Sequence, residues 1–124
     1  MADVFISYAS ESFIVAKKIA DELDRAGISR WFAPQNVKGA QEFPVEIHKA
    51  IQDCKIFLLV LDKNSQQSEY VKSEVTLAFR RKDNKEAIAL LPFNIDGCKL
   101  SPYMDVYFNH HQIMDGNPPD TQHI

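Results

Sequence analysis

A chain of 124 residues supports one domain around one hydrophobic core. Its 14 basic and 17 acidic residues leave a formal net charge of −3, with no basic surplus and no aromatic–basic interleaving, so it is not read as binding nucleic acid. The longest clean apolar run, Ile56 to Leu61, is too short to cross a bilayer, and MADVFISY has no basic region ahead of its apolar residues and is not read as a secretory signal.

Val4-Phe5-Ile6-Ser7-Tyr8 reads as the first strand. Ser10 is placed to cap the helix that follows, with Glu11 in its first turn. Phe13, Ala16, Ile19, Ala20 and Leu23 form one apolar face of that helix, and Gly27 closes it. A second strand covers about Ile28 to Phe32. The loop APQNVKGAQEF (33–43) comes next, punctuated by Pro34 and Gly39. Pro44 suits the first turn of a second helix, on which Phe43, Ile47, Ala50, Ile51 and Cys54 share a side.

Lys55 to Leu61 is apolar on both faces, as a central parallel strand is. A third helix follows and ends near Lys82. Ala87 to Phe93 reads as another two-sided strand, and Val106 to Phe108 as a last, weak one. Residues 1–115 are expected to form the domain, and 116–124 a polar tail or a linker. This alternation implies a flavodoxin-like α/β fold, a parallel sheet with helices on both faces. Ligands of such sheets bind at the carboxyl ends of the strands.

Several chemistries lack their motifs. No GxGxxG, GxxxxGK[ST] or GxSxG occurs. Cys54 and Cys98 lack metal-ligand spacing and read as small core residues of a reduced, cytosolic domain. His110 and His111 are adjacent and, on a strand, would point to opposite faces, so they are not a chelating pair.

The third helix is more informative. At 100° per residue, Val71, Val75, Ala78 and Phe79 form a buried stripe. Glu69, Ser73, Thr76 and Arg80 lie roughly opposite, facing water. Glu74 falls on the flank of the stripe with Tyr70 and Leu77, and Tyr70 and Glu74 are surface neighbours. Glu69 is then a first-turn charge that favours the helix dipole. Glu74 sits where a partly desolvated cleft carboxylate would sit. Border glutamates are also common on amphipathic helices, and geometry leaves both readings open.

Three blocks carry a resemblance: DVFISYAS at the first strand, RAGISRWFAP running into the loop, and EIHKAIQDCKIFLLVLDKNSQQSEYVKSEV. In this order and spacing they resemble Toll/interleukin-1 receptor (TIR) domains of the bacterial type, over about residues 3–115. The resemblance implies a flavodoxin-like three-layer fold with five parallel strands. It implies that loop 33–43 mediates self-association and gates a site. Many members of the family cleave NAD+ at the nicotinamide–ribose bond, using a glutamate on the third helix four residues after an aromatic, commonly tryptophan.

Carried over, the catalytic position is Glu74 and the aromatic is Tyr70. Substrate contacts fall at Tyr8, Ala9 and Ser10 after the first strand, at Phe32 and Ala33 after the second, and at Phe43 and Tyr70. NAD+ is then a substrate, and neither metal nor cofactor is expected. The implied setting is a cytoplasmic effector of prokaryotic antiphage immunity, attached to or partnered by a sensor domain.

The chain departs from the family pattern in three places. Tyr70 replaces tryptophan, Ala33 stands where some active members carry an acid, and Pro34-Gln35-Asn36 replaces Pro-Arg-Asp. A non-enzymatic scaffold acting through TIR–TIR contacts is the main rival reading. A receiver-like relative fits less well, because Ala9-Ser10 follows the first strand where a receiver has an acidic pair.

Overall fold

The computed structural model describes residues 2–32, 45–108 and 114–115. Five parallel strands form one sheet in the order β2-β1-β3-β4-β5: β1 Val4–Ser7, β2 Arg30–Trp31, β3 Ile56–Leu61, β4 Ala89–Asn94 and β5 Met114–Asp115. Among the described residues the α-helices are α1 Phe13–Arg25, α2 Val45–Asp53, α3 Glu69–Asp83 and α4 Pro102–Phe108. This is the expected flavodoxin-like order. Its topological switch point, where successive connections leave in opposite directions, lies between β1 and β3.

Strand alternation divides the core into two layers. Phe5, Phe57, Leu59 and Leu61 face the side covered by α2, α3 and α4. Val4, Ile6, Leu58, Val60 and Phe93 face α1, through Ala16, Ile19, Ala20 and Leu23. An aromatic ladder crosses the first face. Phe5 is paired in register with Trp31 and Phe57 and stacks on them at 6.5 and 5.6 Å. The inner strand β3 is buried from Phe57 to Leu61, as its two-sided apolar run requires.

Gly27 ends α1 as expected. At φ +73° it lies in the left-handed region, and the Ile28 amide bonds back to the Leu23 carbonyl at 2.9 Å. The start of α1 differs from expectation. Residues Ser10–Ser12 form a 3-10 turn, and the Ser10 hydroxyl bonds to Glu11 and caps nothing. Phe13 lies at the rim with 43% of its surface exposed, outside the buried face assigned to it.

Three further expectations are corrected. The strand placed at Val106–Phe108 is the end of α4, and the last strand is Met114–Asp115. Here a helical period wins: Pro102 opens the helix, Met104 and Phe108 are buried four residues apart, and Val106 between them is exposed. Thr76, assigned to the water-facing side of α3, is half-buried and bonds Tyr103 of α4 at 2.7 Å. Cys54 is a core residue, but Cys98 lies half-buried in the loop after β4. His110, His111 and the segment 116–124 lie outside the described residues.

Candidate functional site

Glu74 is completely buried. It sits in the second turn of α3, a helix whose buried stripe is Val71, Val75, Ala78 and Phe79, as the sequence predicts. The Ser68 hydroxyl caps this helix, accepting from the Val71 amide at 3.2 Å. The cap and the stripe fix how α3 is rotated against the sheet. That rotation carries Glu74 from the flank into the interior, toward the carboxyl end of β1. There the Ser7 hydroxyl donates to Glu74 Oε1 at 2.6 Å. A carboxyl group so placed loses its hydration, and the Ser7 hydroxyl supplies one directed donor, to Oε1.

Glu69, five residues earlier, is different in kind. Its side chain is 88% exposed and pairs loosely with Lys72 at 3.8 Å. It borders a groove of about 400 Å³ on the outer side of α3, lined also by His48, Lys72, Thr76, Arg80 and Tyr103. The two glutamates therefore belong to different surfaces of one helix.

The loops around the switch point are tied by a second buried carboxylate. Asp62, at the end of β3, is buried and accepts from the Ser12 hydroxyl. Its Oδ1 accepts from the Ser65 amide at 2.7 Å, and its own amide donates to Ser65 Oγ at 3.0 Å. The turn after β1 is thus anchored to the turn after β3, fixing Tyr8, Ala9 and Ser10 between them. Sequence reasoning missed Ser7, Ser12 and Asp62. A signal existed for Ser7: it shares a strand face with Phe5, so it is a polar residue at an apolar position.

Tyr8 and Ala9 are buried at the end of β1, and Ser10 is exposed. Tyr8 stacks on the half-buried Phe32 with ring centroids 5.1 Å apart, and Phe13 completes the cluster 5.5 Å from Phe32. The Arg30 guanidinium lies over the Phe32 ring at 5.8 Å. Tyr70 is half-buried, one helical turn before Glu74. Ala33 and Phe43 lie outside the described residues. The structure therefore joins Tyr8 to Phe32 on one face of the sheet and Ser7 to Glu74 on the other, at the same carboxyl edge.

Neither cysteine is activated. Burial pushes the Cys54 thiol up to about 11, and the Arg81 charge only partly offsets it. Burial, then the Asp96 carboxylate, pushes Cys98 up to about 11 as well. Thiolate therefore forms only in strong alkali. At pH 8, Cys98 should alkylate about tenfold or more slowly than a free thiol, and Cys54 more slowly still. Iodoacetamide labelling followed by mass spectrometry checks this, and rapid labelling of Cys54 in the native protein would contradict it.

The family model described as TIR domain matches residues 4–123. Among solved structures, the chain is similar to the TIR domain of the Toll-related receptor TRR-2 from Hydra magnipapillata. That match has 19% identity and a TM-score of 0.72, and covers 93% of this chain and 84% of that one. It is also similar to the TIR domains of the activated Roq1 resistosome directly recognizing the pathogen effector XopQ. There the identity is 18% and the TM-score 0.71, with 90% of this chain and 72% of that one covered. No curated protein matches the chain in sequence. The two structural likenesses establish the fold. The family model spans nearly the whole sequence, and on that ground the chain belongs to the TIR domain family.

Proposed function

We propose that this TIR domain is an NAD+ glycohydrolase of the bacterial type, with Glu74 as its catalytic carboxylate. The observation that carries the reading is the complete burial of Glu74 at the sheet's carboxyl edge, held by Ser7 at 2.6 Å. Buried ionisable groups in ligand-binding regions of a fold are functional candidates on physical grounds. Such a carboxylate also suits this reaction better than most.

An ordinary glycosidic bond needs a second carboxyl group to protonate the leaving oxygen. The nicotinamide of NAD+ is already cationic. As the C1′–N bond breaks, the electron pair goes to the ring nitrogen and nicotinamide leaves neutral, so no general acid is needed. Positive charge then develops on the ribose, and one fixed carboxylate stabilises it. Water adds at C1′ and loses a proton, giving ADP-ribose. Capture by an adenine nitrogen instead gives a cyclic ADP-ribose. Neither route calls for a metal or a further cofactor.

In this reading Tyr8, Ala9, Ser10, Phe32 and Tyr70 wall the substrate site, and Ala33 and Phe43 complete it from the 33–43 loop. Assembly of copies through that loop activates the domain. The likeness to TIR domains of a resistosome supports assembly as the operating state. The domain is proposed to span residues 1–115, with 116–124 leading to a fused or partner sensor, and to act in cytoplasmic antiphage immunity. No helix among the described residues is long and apolar enough to cross a membrane.

The test is product chemistry. The concentrated domain is incubated with NAD+ and resolved by liquid chromatography. Nicotinamide should appear mole for mole with ADP-ribose or a cyclic isomer. A scaffold that works only through TIR–TIR contacts would self-associate and leave NAD+ intact.

A further inference from the structure

Ser7 occupies a place that the packing reserves for apolar side chains. On its face of the sheet lie Phe5 on the same strand and Leu59, its register partner on β3, with Leu61 beyond. Ser7 is fully buried there, and its hydroxyl donates to Glu74 Oε1 at 2.6 Å. Both ends of this bond are rigidly mounted. β1 is paired with β3 along its whole length, Ser7 opposite Leu59, and with β2 at Val4 and Phe5, and α3 is pinned through Val71, Val75 and Ala78.

We propose that Ser7 is a positioning residue for Glu74. It holds the carboxyl group by Oε1 in one orientation, without itself touching substrate. The inference rests on the reading of Glu74 given above. A carboxylate that meets a developing ribosyl cation is effective only when its charge and direction are set before the bond breaks. A hydroxyl on a paired strand sets that direction, and a mobile surface side chain would not. Loss of a hydrogen bond to a charged group should lower kcat about 10- to 100-fold. KM should stay within about threefold, because no substrate contact is lost.

The decisive comparison is Ser7→Thr against Ser7→Val. The two side chains have nearly the same shape, so they share any packing cost, and only threonine keeps the hydroxyl. Ser7→Ala adds no bulk and is read alongside them in case the branched residues are not accommodated. All variants are assayed for nicotinamide release at the concentration where wild type is active, with folding checked by circular dichroism. The expected result is Ser7→Thr within about fivefold of wild-type kcat, and Ser7→Val and Ser7→Ala about 10- to 100-fold down at little-changed KM. Equal kcat for Ser7→Thr and Ser7→Val, wild-type kcat for folded Ser7→Ala, or a loss confined to KM would each overturn the inference and leave the Glu74 reading standing. An inert wild type would overturn the NAD-cleaving reading itself.

Discussion

Glu74→Gln should lower kcat for nicotinamide release by at least about 10³-fold while the domain stays folded. The substitution is nearly isosteric, and its amide oxygen can still accept from Ser7. What it removes is the negative charge that the proposed reaction sets against the ribose. One preorganised electrostatic group can be worth 10²–10³-fold in kcat, and a lone carboxylate opposite a full ribosyl cation belongs at or above the top of that range. Glu74→Ala should be equally inactive but less stable, because it leaves a cavity and a buried hydroxyl without its acceptor. Glu69→Ala is the matched control. Its side chain is 88% exposed, and its removal should leave kcat within about twofold. Chromatographic initial rates for the three variants, at equal concentration, check the set. An active Glu74→Gln alongside an inactive Glu69→Ala would reverse the assignment.

Arg81→Met should destabilise the fold by about 3 kcal/mol. Helix α2 has no glycine to close it, and Arg81 of α3 supplies the closure from outside. Its guanidinium donates to the Ile51 carbonyl at 2.8 Å and to the Cys54 carbonyl. Its Nε bonds Glu86 at 3.1 Å, which ties the end of α3 to the approach to β4. The side chain is only 12% exposed, so water does not readily replace these donors. Truncation removes the Arg81 donor from the buried Cys54 carbonyl and leaves the Ile51 carbonyl with only the weak Cys54 thiol bond at 3.3 Å, at about 1–3 kcal/mol for each group before relaxation. Methionine retains much of the apolar stem, so the measured loss reports mainly on the hydrogen bonds. Urea unfolding checks it: the midpoint should fall while the slope with denaturant stays constant. A change under about 0.5 kcal/mol would show that α2 closes without Arg81.

Much of the architecture was readable because long elements carry strong periods. The buried stripe of α3 and the two-sided burial of β3 follow directly from their residues. Short elements behaved differently. β5 is two residues long, and the three residues Val106–Phe108 could not distinguish a strand from the end of a helix. Thr76 looked solvent-facing because helical geometry alone does not include α4 lying across it. Phe13 fits the apolar period of α1 but sits in its first turn, beyond the sheet it was expected to cover.

The candidate site was legible in part for a related reason. The period of α3 put Glu74 on a border, and only docking against β1 turned that border into complete burial. Its partner Ser7 lies 67 residues away, a pairing that no local pattern encodes. Asp62 and Ser12 are joined across 50 residues by the same kind of tertiary contact. Tyr8 and Phe32 were singled out by resemblance, and the structure brings their rings together at the carboxyl ends of adjacent strands. Ala33 and Phe43 belong to the segment outside the described residues.

The most direct test of the account is the initial rate of nicotinamide release by the wild-type domain across a concentration series, extended by fusion to an oligomerising coiled coil. NAD+ cleavage at an assembled site predicts a rate that climbs more steeply than protein concentration and is highest in the fusion. No release at any concentration, from a fusion shown to be folded and oligomeric, would contradict it and leave the chain a TIR scaffold.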